Sequence, residues 1–296
     1  MMKYETLDLT PEARMALPGR FIQLSDGFVH FEVDGHETGD IVVLVHGFSS
    51  PLFVWDNTFD VLIKNGFRVL RYDLYGRGYS DRPNVKYNID LFYRQLFEIV
   101  QELDLTQTAF NLVGLSMGGI ICVDFADKHP NLVKKISLID PAGFPTGRRL
   151  FPIILKVPGL NHLILKFIGH DRLIKGQMED FYKYDQIDDY IKKYKEQTYY
   201  KGFLRAISST IQNLPFGGFT DVYKRVGERN FPMQLFWGEK DRVIPYSVYK
   251  KVLETIPHIE FHTIKESGHI PHYTHSNKVN PLLIEFLKDE QVKERV

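Results

Sequence analysis

The sequence contains a single cysteine, Cys122, so no disulfide bond can form within the chain. A secreted scaffold that is held together by disulfides is therefore excluded. Cys122 follows Ile120 and Ile121 and precedes Val123, and these apolar neighbours predict a thiol that is packed in the core. We do not expect this thiol to act as a nucleophile.

The chain also lacks an excess of either charge, because 37 Lys and Arg residues balance 37 Asp and Glu residues. Nucleic acids and anionic membranes attract proteins with a positively charged surface. We therefore expect neither of them as a partner. Internal repeats and low-complexity tracts are absent as well.

No apolar run is both long enough and continuous enough to predict a membrane span. The stretch 150–168 approaches the required length, but Lys156, Pro158 and Lys166 interrupt it, so we predict amphipathic lid helices there. Residues 1–20 carry three acidic side chains and no unbroken apolar block. This composition predicts no secretory signal and favours a cytoplasmic location.

Apolar runs alternate with segments of helical spacing along much of the chain. Strands are predicted at residues 21–25, 28–33, 41–45, 67–72, 109–115, 135–139, 233–237 and 259–264. Helices are predicted at 51–64, 89–103, 117–128, 247–255 and 281–287. This alternation predicts an α/β fold with a mostly parallel central sheet flanked by helices. Asp26-Gly27 predicts an antiparallel hairpin at one edge of the sheet.

The alternation stops between residues 143 and 229, where the pattern is helical and is interrupted by prolines. We therefore predict a core domain made of residues 1–142 and 230–296, with residues 143–229 inserted as a helical cap. The beginning of this cap is rich in apolar side chains: Phe144, Leu150, Phe151, Ile153, Ile154, Leu155, Leu160, Leu163, Leu165, Phe167 and Ile168. A lid of this composition predicts a hydrophobic wall for a substrate pocket.

The frame Gly114-x-Ser116-x-Gly118 follows the predicted strand 109–115. Glycines at these positions suit a serine on a very tight turn from strand to helix, because side chains there would clash. Such a turn exposes the serine Oγ and directs the amide N–H of Met117 toward the same point, which predicts an oxyanion donor. For this frame alone, the alternative is a glycine-rich turn with an incidental serine.

A nucleophilic serine needs a base, because its hydroxyl is almost fully protonated at neutral pH. A histidine that is oriented by a buried carboxylate supplies that base. In parallel sheets, catalytic groups lie where the strands end at their carboxyl edge. Asp241 falls in the first loop after the predicted strand 233–237, and His269 follows the strand 259–264. The chain order Ser116, Asp241, His269 is the order of α/β-hydrolases.

The sequence resembles capped α/β-hydrolase fold enzymes of the lipase and esterase, non-haem haloperoxidase and C-C hydrolase type. The matching pieces cover nearly all of the chain outside the cap, and they are His46-Gly47, Asp73-x-x-Gly76-x-Gly78-x-Ser80, Gly114-x-Ser116-Met117-Gly118-Gly119, Gly238-x-x-Asp241 and Gly268-His269. The loop from His46 to Ser50 lacks the further glycines of the His-Gly-Gly-Gly esterases and of the C-C hydrolase loop.

The resemblance implies Ser116 as the nucleophile, His269 as the general base and Asp241 as the orienting acid. It further implies an oxyanion hole formed by the backbone N–H groups of Phe48 and Met117. A structural role for the His46 side chain follows from the same comparison. We expect no cofactor and no metal.

Serine at position 116 predicts acyl transfer through an acyl-enzyme, whereas dehalogenases and epoxide hydrolases of this fold place an aspartate there. Together with the apolar cap, this predicts a carboxylic-ester hydrolase whose small-molecule substrate has a small to medium apolar acyl group. One alternative is a C-C bond hydrolase or a perhydrolase that uses the same triad. An alternative of another class is a non-catalytic ligand-binding receptor with this fold.

Two other polar residues near these motifs, Asp140 and Arg77, each allow a functional and a structural role. Asp140 ends the predicted strand 135–139, where some members of the fold place their acid, but the spacing around Asp241 favours Asp241. We expect Asp140 to cap the loop that leads into the inserted segment. For Arg77, a loop-stabilising hydrogen bonder is favoured over a contact with a substrate carboxylate.

Four histidines near His269 raise the question of a metal site, and they are His258, His262, His272 and His275. Ligands spaced by three residues need one continuous helix face, but Pro271 interrupts such a helix and no acidic ligand lies between His269 and His275. We therefore expect surface or core histidines. His272 could also line the mouth of the pocket.

Overall fold

The computed structural model describes residues 4–147, 160–184 and 187–289 and contains an eight-stranded sheet with helices on both faces. The strands are β1 (Arg20–Leu24), β2 (Gly27–Gly35), β3 (Ile41–Val45), β4 (Arg68–Tyr72), β5 (Phe110–Leu115), β6 (Val133–Ile139), β7 (Met233–Gly238) and β8 (Glu260–Ile264). The helices are α1 (Pro11–Met15), α2 (Asp56–Lys64), α3 (Ile89–Glu102), α4 (Met117–Lys128), α5 (Leu160–Gln177), α6 (Ile187–Gln197), α7 (Phe203–Asn213), α8 (Thr220–Glu228), α9 (Tyr249–Thr255), α10 (Pro271–Thr274) and α11 (Ser276–Lys288).

The strands lie in the order β1-β2-β4-β3-β5-β6-β7-β8. Strands β1 and β2 form the predicted antiparallel hairpin at one edge, and β2 also pairs antiparallel with β4. The remaining neighbours pair in parallel. Strand β5 lies inside the sheet, so the turn that follows it is surrounded by the carboxyl ends of β3 and β6.

Alternate residues of the central strands face two separate hydrophobic cores. Val43, Val45 and Leu112 belong to the core that packs under α3, α4 and α8. Val42 and Leu44 face the opposite core, which includes apolar side chains of α2, α6, α7 and α11. Because both faces are covered, the central strands β3 and β5 consist almost entirely of apolar residues, as the sequence pattern predicts.

The closing helix begins earlier than the sequence suggests. A helix start near Pro281 is expected because proline lacks the N–H that a helix interior needs. In the structure α11 begins at Ser276 and Pro281 lies inside it. Val279 and Leu283 are both buried in the core from one face of α11, and this packing outweighs the lost backbone hydrogen bond.

Helices α5 to α8 lie between β6 and β7 in the chain, within the range 143–229 that we predict to form a cap. Residues 148–159 and the side chains of 160–168 lie outside the described part, and they include all of the apolar residues expected to form the pocket wall except Phe144. Phe144 is buried and packs on Tyr223, with 4.6 Å between the ring centroids. Among the residues described, no helix is long and apolar enough to cross a membrane.

The turn between β5 and α4 packs directly on the end of β3. A Cβ atom at Gly118 would lie 2.1 Å from the carbonyl oxygen of Val45 and 2.7 Å from that of His46. A Cβ at Gly114 would lie 2.7 Å from the carbonyl oxygen of Gly118. Both glycines of the frame around Ser116 are thus required by close backbone contact.

We expect the substitution Gly118→Ala to lower the free energy of unfolding by about 1–3 kcal/mol or more, because the added methyl must displace the β3 backbone. The helix propensity of alanine would change stability in the opposite direction, by up to about 1 kcal/mol. Thermal and chemical denaturation of the variant measure the sign directly.

The matched control is Gly176→Ala in α5, where a Cβ atom meets nothing within 4 Å. There the helix propensity acts alone, so we expect unchanged or slightly higher stability. Equal effects of the two substitutions would contradict a steric role for Gly118.

Candidate active site

Ser116 occupies the turn between β5 and α4 with φ 53° and ψ −115°. Its N–H donates to the carbonyl of Ile139 at 2.9 Å, and its own carbonyl accepts from Gly119 and Ala142, both at 3.0 Å. A positive φ is strained for a residue with a side chain, and it persists only where neighbouring structure enforces it. These three hydrogen bonds connect the turn to the end of β6 and to α4.

The second and third predicted residues of the triad contact each other. The Nδ1 of His269 lies 2.7 Å from Oδ2 of Asp241, and both side chains are buried. The Oδ1 of Asp241 accepts from the amides of Val243 at 2.7 Å and Ile244 at 2.9 Å. The aspartate is therefore fixed by its own loop, and it directs the other ring nitrogen of His269, Nε2, away from itself.

Ser116 and His269 line the same pocket, which has a volume of about 590 Å³. Gly47 and Phe48 line it too, and a Cβ at Gly47 would lie 3.3 Å from the Cβ of Ser116. The structure thus brings the predicted nucleophile, the predicted base and the predicted oxyanion loop to one cavity, with Asp241 on the far side of the histidine ring.

The two predicted oxyanion donors flank Ser116 from different elements. Met117 is the first residue of α4, where the amide N–H groups have no acceptor within the helix and the helix dipole favours negative charge. Phe48 belongs to the loop after β3, and its carbonyl accepts from the Nε of Arg77 at 2.8 Å. This bond fixes the peptide group between Phe48 and Ser49, whereas the Phe48 N–H belongs to the preceding peptide group, whose Gly47 carbonyl accepts from His46.

His46 is held by two hydrogen bonds and does not line the pocket. Its Nε2 accepts from the amide of Leu74 at 2.9 Å, so Nδ1 carries the proton and donates to the carbonyl of Gly47 at 2.9 Å. Burial lowers the pKa of His46 to about 4. The neutral ring therefore links the oxyanion loop to the loop after β4, which is the structural role that the resemblance implies.

Arg77 is also buried and acts within the structure, as predicted. Besides the carbonyl of Phe48, its guanidinium donates to the carbonyl of Tyr75 at 3.0 Å and to Oγ1 of Thr210 at 2.9 Å. Thr210 belongs to α7, so one side chain connects the oxyanion loop with the inserted helices. Burial lowers the pKa of Arg77 to about 10, so the side chain is still a cation at neutral pH.

Three further side chains of the inserted helices bind the loop from Gly47 to Ser50. The Nε2 of Gln197 donates to the carbonyl of Ser49 at 2.9 Å, and its Oε1 accepts from Gly78 at 3.0 Å. Gln177 bonds both hydroxyls of the loop, with Nε2 to Ser49 at 3.1 Å and Oε1 to Ser50 at 3.0 Å. Tyr190 donates to Ser50 at 2.8 Å. The sequence carries no spacing that could have identified these contacts.

Asp140 does not cap the loop that leads into the inserted segment, so that prediction is wrong. Its Oδ1 accepts from the amide of Gly238 at 2.9 Å, at the end of the neighbouring strand β7. The parallel pairing of β6 with β7 places both strand ends side by side and so determines this partner. Asp140 is fully buried, with φ 43°.

A third carboxyl group, Asp180, was not found from the sequence. It lines the pocket from the short helical turn that follows α5, and its carbonyl accepts from the amide of His269 at 2.8 Å. Its side chain is 8 % exposed and has no hydrogen-bond partner among the described residues. Burial is the main reason why the pKa of Asp180 is raised to about 7.

Two opposing effects act on the pKa of His269. Burial lowers it, while the carboxylates of Asp241 and Asp180 raise it, and the net result is a pKa above the ordinary histidine value. A base whose pKa lies near or above neutrality accepts a proton readily during catalysis.

The four histidines near His269 in the sequence lie outside the pocket. His272 is fully buried, and its ring packs on Trp55 with 4.4 Å between the centroids, so the prediction that it lines the pocket mouth is wrong. His262 lies 2.5 Å from a carboxylate oxygen of Glu260. Within the described part of the chain, the only cluster with metal-ligand spacing is Asp140, Asp241 and His269, and its last two members belong to the candidate triad.

The pocket lining combines apolar and charged side chains. Leu173, Ile211 and Phe216 contribute apolar surface. Arg172 and Lys175 of α5 also line the pocket. These two cations lie within the predicted cap, and its helical pattern does not indicate which side chains face a pocket.

Comparisons with known proteins found a matching family and several relatives. The chain matches the family described as serine aminopeptidase, S33, over residues 36–274. It is 26% identical over 286 residues to a 2-hydroxy-6-oxononadienedioate/2-hydroxy-6-oxononatrienedioate hydrolase of Cupriavidus pinatubonensis, which covers 90% of this chain and 94% of that protein. It is 28% identical over 254 residues to Lipase 3 of a Moraxella species, covering 83% and 76% respectively.

Solved structures show the same arrangement of elements. The enol-lactonase of Burkholderia xenovorans superposes with a TM-score of 0.76 at 17% identity and covers 91% of this chain and 100% of that one. The haloalkane dehalogenase DbeA of Bradyrhizobium elkani gives a TM-score of 0.81 at 14% identity, with 94% and 99% covered. At such identities the likeness concerns the fold alone.

The raised pKa of Asp180 predicts a pH-dependent cost to stability. Between the ordinary value of 3.8 and about 7, the folded protein keeps this proton while the unfolded chain loses it, so stability falls as the pH rises. We expect the substitution Asp180→Asn to remove this loss of stability at higher pH. The variant should be more stable than the wild type at pH 8, by at most about 4 kcal/mol, and equally stable near pH 4.

Denaturant unfolding at a series of pH values measures this difference. Glu179→Gln is the matched control, because Glu179 is the exposed neighbour of Asp180 in the same turn. A stability difference between Asp180→Asn and the wild type that does not change with pH would contradict the prediction.

Proposed function

Because the chain belongs to the α/β-hydrolase family described as serine aminopeptidase, S33, we propose that it is a serine hydrolase that cleaves carboxylic esters through an acyl-enzyme. The family and the solved structures of similar shape confirm the predicted α/β-hydrolase fold. The observation that carries the proposal is the common pocket of Ser116 and His269, with Asp241 bound to the far nitrogen of the histidine.

In the first half of the proposed reaction, Oγ of Ser116 attacks the ester carbonyl while Nε2 of His269 takes the hydroxyl proton. Asp241 stabilises the imidazolium that forms. The carbonyl oxygen becomes an oxyanion and is bound by the N–H groups of Met117 and Phe48, each of which would contribute a factor of roughly 10² to 10³ in rate. Transfer of the proton from His269 to the leaving alkoxide releases the alcohol.

In the second half, a water molecule replaces the alcohol. His269 accepts a proton from this water as its oxygen attacks the acyl-enzyme carbonyl, and the same oxyanion site stabilises the second tetrahedral intermediate. The collapse of this intermediate returns the proton to Oγ of Ser116 and releases the carboxylic acid. The reaction consumes one water and needs no redox partner.

The substrate that we propose has a small to medium apolar acyl group. A pocket of about 590 Å³ with Leu173, Ile211 and Phe216 in its wall suits such a group. Helices α5 to α8 and the turn after α5, all within residues 143–229, would act as the cap, since they supply Leu173 and Ile211 as well as Asp180. Access to Ser116 would then require the cap to admit the substrate.

Hydrolysis of a C-C bond is the second candidate function. It is favoured by Arg172 and Lys175, which line the pocket and could pair with substrate carboxylates. The relatives from Cupriavidus pinatubonensis and Paraburkholderia phymatum are named for dioate substrates, which carry two carboxylates. The same serine, base and oxyanion site would serve this chemistry.

We expect a fluorophosphonate probe to label wild-type protein at Ser116 and to leave Ser116→Ala unlabelled. Mass spectrometry of the labelled peptide identifies the site. The variant Asp241→Asn should be labelled about 10⁴-fold more slowly, because the histidine then loses the acceptor that orients it. A folded wild-type protein that resists the probe would point to the alternative of a non-catalytic ligand-binding receptor.

For the substrate class, we expect kcat/KM for p-nitrophenyl esters to rise with acyl chain length up to the size that the pocket accommodates and then to fall. A hydroxy-oxo-dienedioate tests the second candidate, and an aminoacyl p-nitroanilide tests the peptidase activity in the family description. Turnover of the dioate without turnover of the esters would refute the ester proposal in favour of C-C hydrolysis. A strict preference for charged acyl groups would refute the apolar substrate class.

A further inference from the structure

The carboxyl group of Asp140 lies beside the pair of Asp241 and His269. Asp140 follows β6, and its hydrogen bond to the amide of Gly238 brings the carboxyl group to the end of β7, three residues before Asp241. One carboxylate oxygen of each aspartate and one ring nitrogen of His269 lie within 4.8 Å of one another. The site therefore holds two adjacent, buried carboxyl groups, although the proposed mechanism uses only one.

The hydrogen bonds of the two aspartates differ. Asp241 accepts on both oxygens, from the amides of Val243 and Ile244 and from the ring of His269. Asp140 accepts on Oδ1 only, and its buried Oδ2 has no donor among the described residues. Two adjacent buried carboxylates repel each other strongly, and a proton retained by one of them removes this repulsion. Asp140, whose Oδ2 has no donor, is therefore the aspartate that better accommodates the proton.

From this geometry we propose that Asp140 is a positioning residue that keeps its proton and donates a hydrogen bond from Oδ2 to the carboxylate of Asp241. Asp241 then carries the only negative charge of the pair, and its orientation toward His269 is fixed from three sides. The inference rests on the proposed function, in which His269 acts as the base and Asp241 orients it.

The electrostatic environment agrees with this assignment. Burial, and after it the neighbouring Asp241 carboxylate, raises the pKa of Asp140 well above the ordinary range. The charged or titratable groups that act on Asp140 are Asp241 after β7, His269 after β8 through its bond to Asp241, and Asp180 from the inserted segment. Both nearby carboxylates disfavour a second negative charge on Asp140.

The variants Asp140→Asn and Asp140→Ala in the full chain test this hydrogen bond. An asparagine amide can donate to Asp241 and still accept from Gly238, so we expect kcat to remain within about threefold of the wild type. Alanine removes the donor, and we expect kcat to fall about tenfold with little change in KM. Without the donor, the Asp241 carboxylate holds the imidazolium more strongly, so the acidic limb of the pH profile of kcat/KM should move to higher pH.

Infrared difference spectroscopy measures the proton without any turnover. At pH 8 to 9, a wild-type minus Asp140→Asn spectrum should contain the C=O band of a protonated carboxylic acid. Asp180→Asn is the matched control, because it also removes a buried carboxyl group next to His269. We expect the band of Asp140 to remain in the spectrum of that variant.

Two results would overturn the inference. One is an infrared difference spectrum without the protonated carboxyl band. The other is a folded Asp140→Asn variant that is as impaired as Asp140→Ala. If, in addition, Asp241→Asn were active, Asp140 would be identified as the orienting acid. Failure of the proposed function is a separate observation, since wild-type protein would then resist the fluorophosphonate probe whatever the infrared band shows.

Discussion

The backbone of Ser116, at φ 53° and ψ −115°, is the constraint on which the rest of the site depends. This conformation costs on the order of 1–3 kcal/mol and needs surrounding structure that enforces it. At the end of β6, the carbonyl of Ile139 accepts a hydrogen bond from the Ser116 amide, and in the loop beyond it the amide of Ala142 donates one to the Ser116 carbonyl. Gly118 allows α4 to start against the end of β3, where a side chain would collide with the backbone. Three neighbouring strands therefore determine where one hydroxyl points, and the pocket, the base and the oxyanion loop are arranged around it.

Three carboxyl groups surround His269, and their environments give them different properties. Asp241 accepts three hydrogen bonds and is fixed as the partner of the ring. Asp140 has one donor and is next to a carboxylate, which favours its neutral form. Asp180 has no hydrogen-bond partner for its side chain among the described residues, lines the pocket, and has a pKa raised to about 7. The number of donors and the degree of burial distinguish the three groups, although the residue type is the same. The histidine thus has one firmly bound counterion and a second carboxylate whose charge depends on pH near neutrality.

The positions of Ser116, Asp241 and His269 could be predicted because each follows a strand, and parallel strands bring their carboxyl ends to one edge. The strands themselves were predictable from continuous apolar runs. Asp140 also follows a strand, but its partner Gly238 is distant in sequence, and only the pairing of β6 with β7 shows which groups meet. The glutamines that bind the oxyanion loop could not have been predicted, since a single buried glutamine leaves no periodic pattern. His272 was misassigned for a related reason: its burial against Trp55 depends on how α10 packs, and the sequence around Pro271 does not indicate that packing.

The inserted helices do more than cover the pocket, because they also hold the loop that we expect to bind the oxyanion. Gln197 bonds the carbonyl of Ser49, and Arg77 connects the carbonyl of Phe48 to α7 through Thr210. A buried polar group that loses its partner costs about 1–3 kcal/mol, so these bonds resist any movement of the helices away from the loop. Helices that moved far enough to break them would also release the peptide group between Phe48 and Ser49, next to the one that carries the Phe48 N–H. A displacement of α5 and its following turn would leave these bonds intact, but it would break the bonds of Gln177 to the hydroxyls of Ser49 and Ser50 and the bond from the His269 amide to the Asp180 carbonyl. Helices α5, α6 and α7 are therefore all bonded to the loops around Ser116, which opposes a large displacement of any one of them.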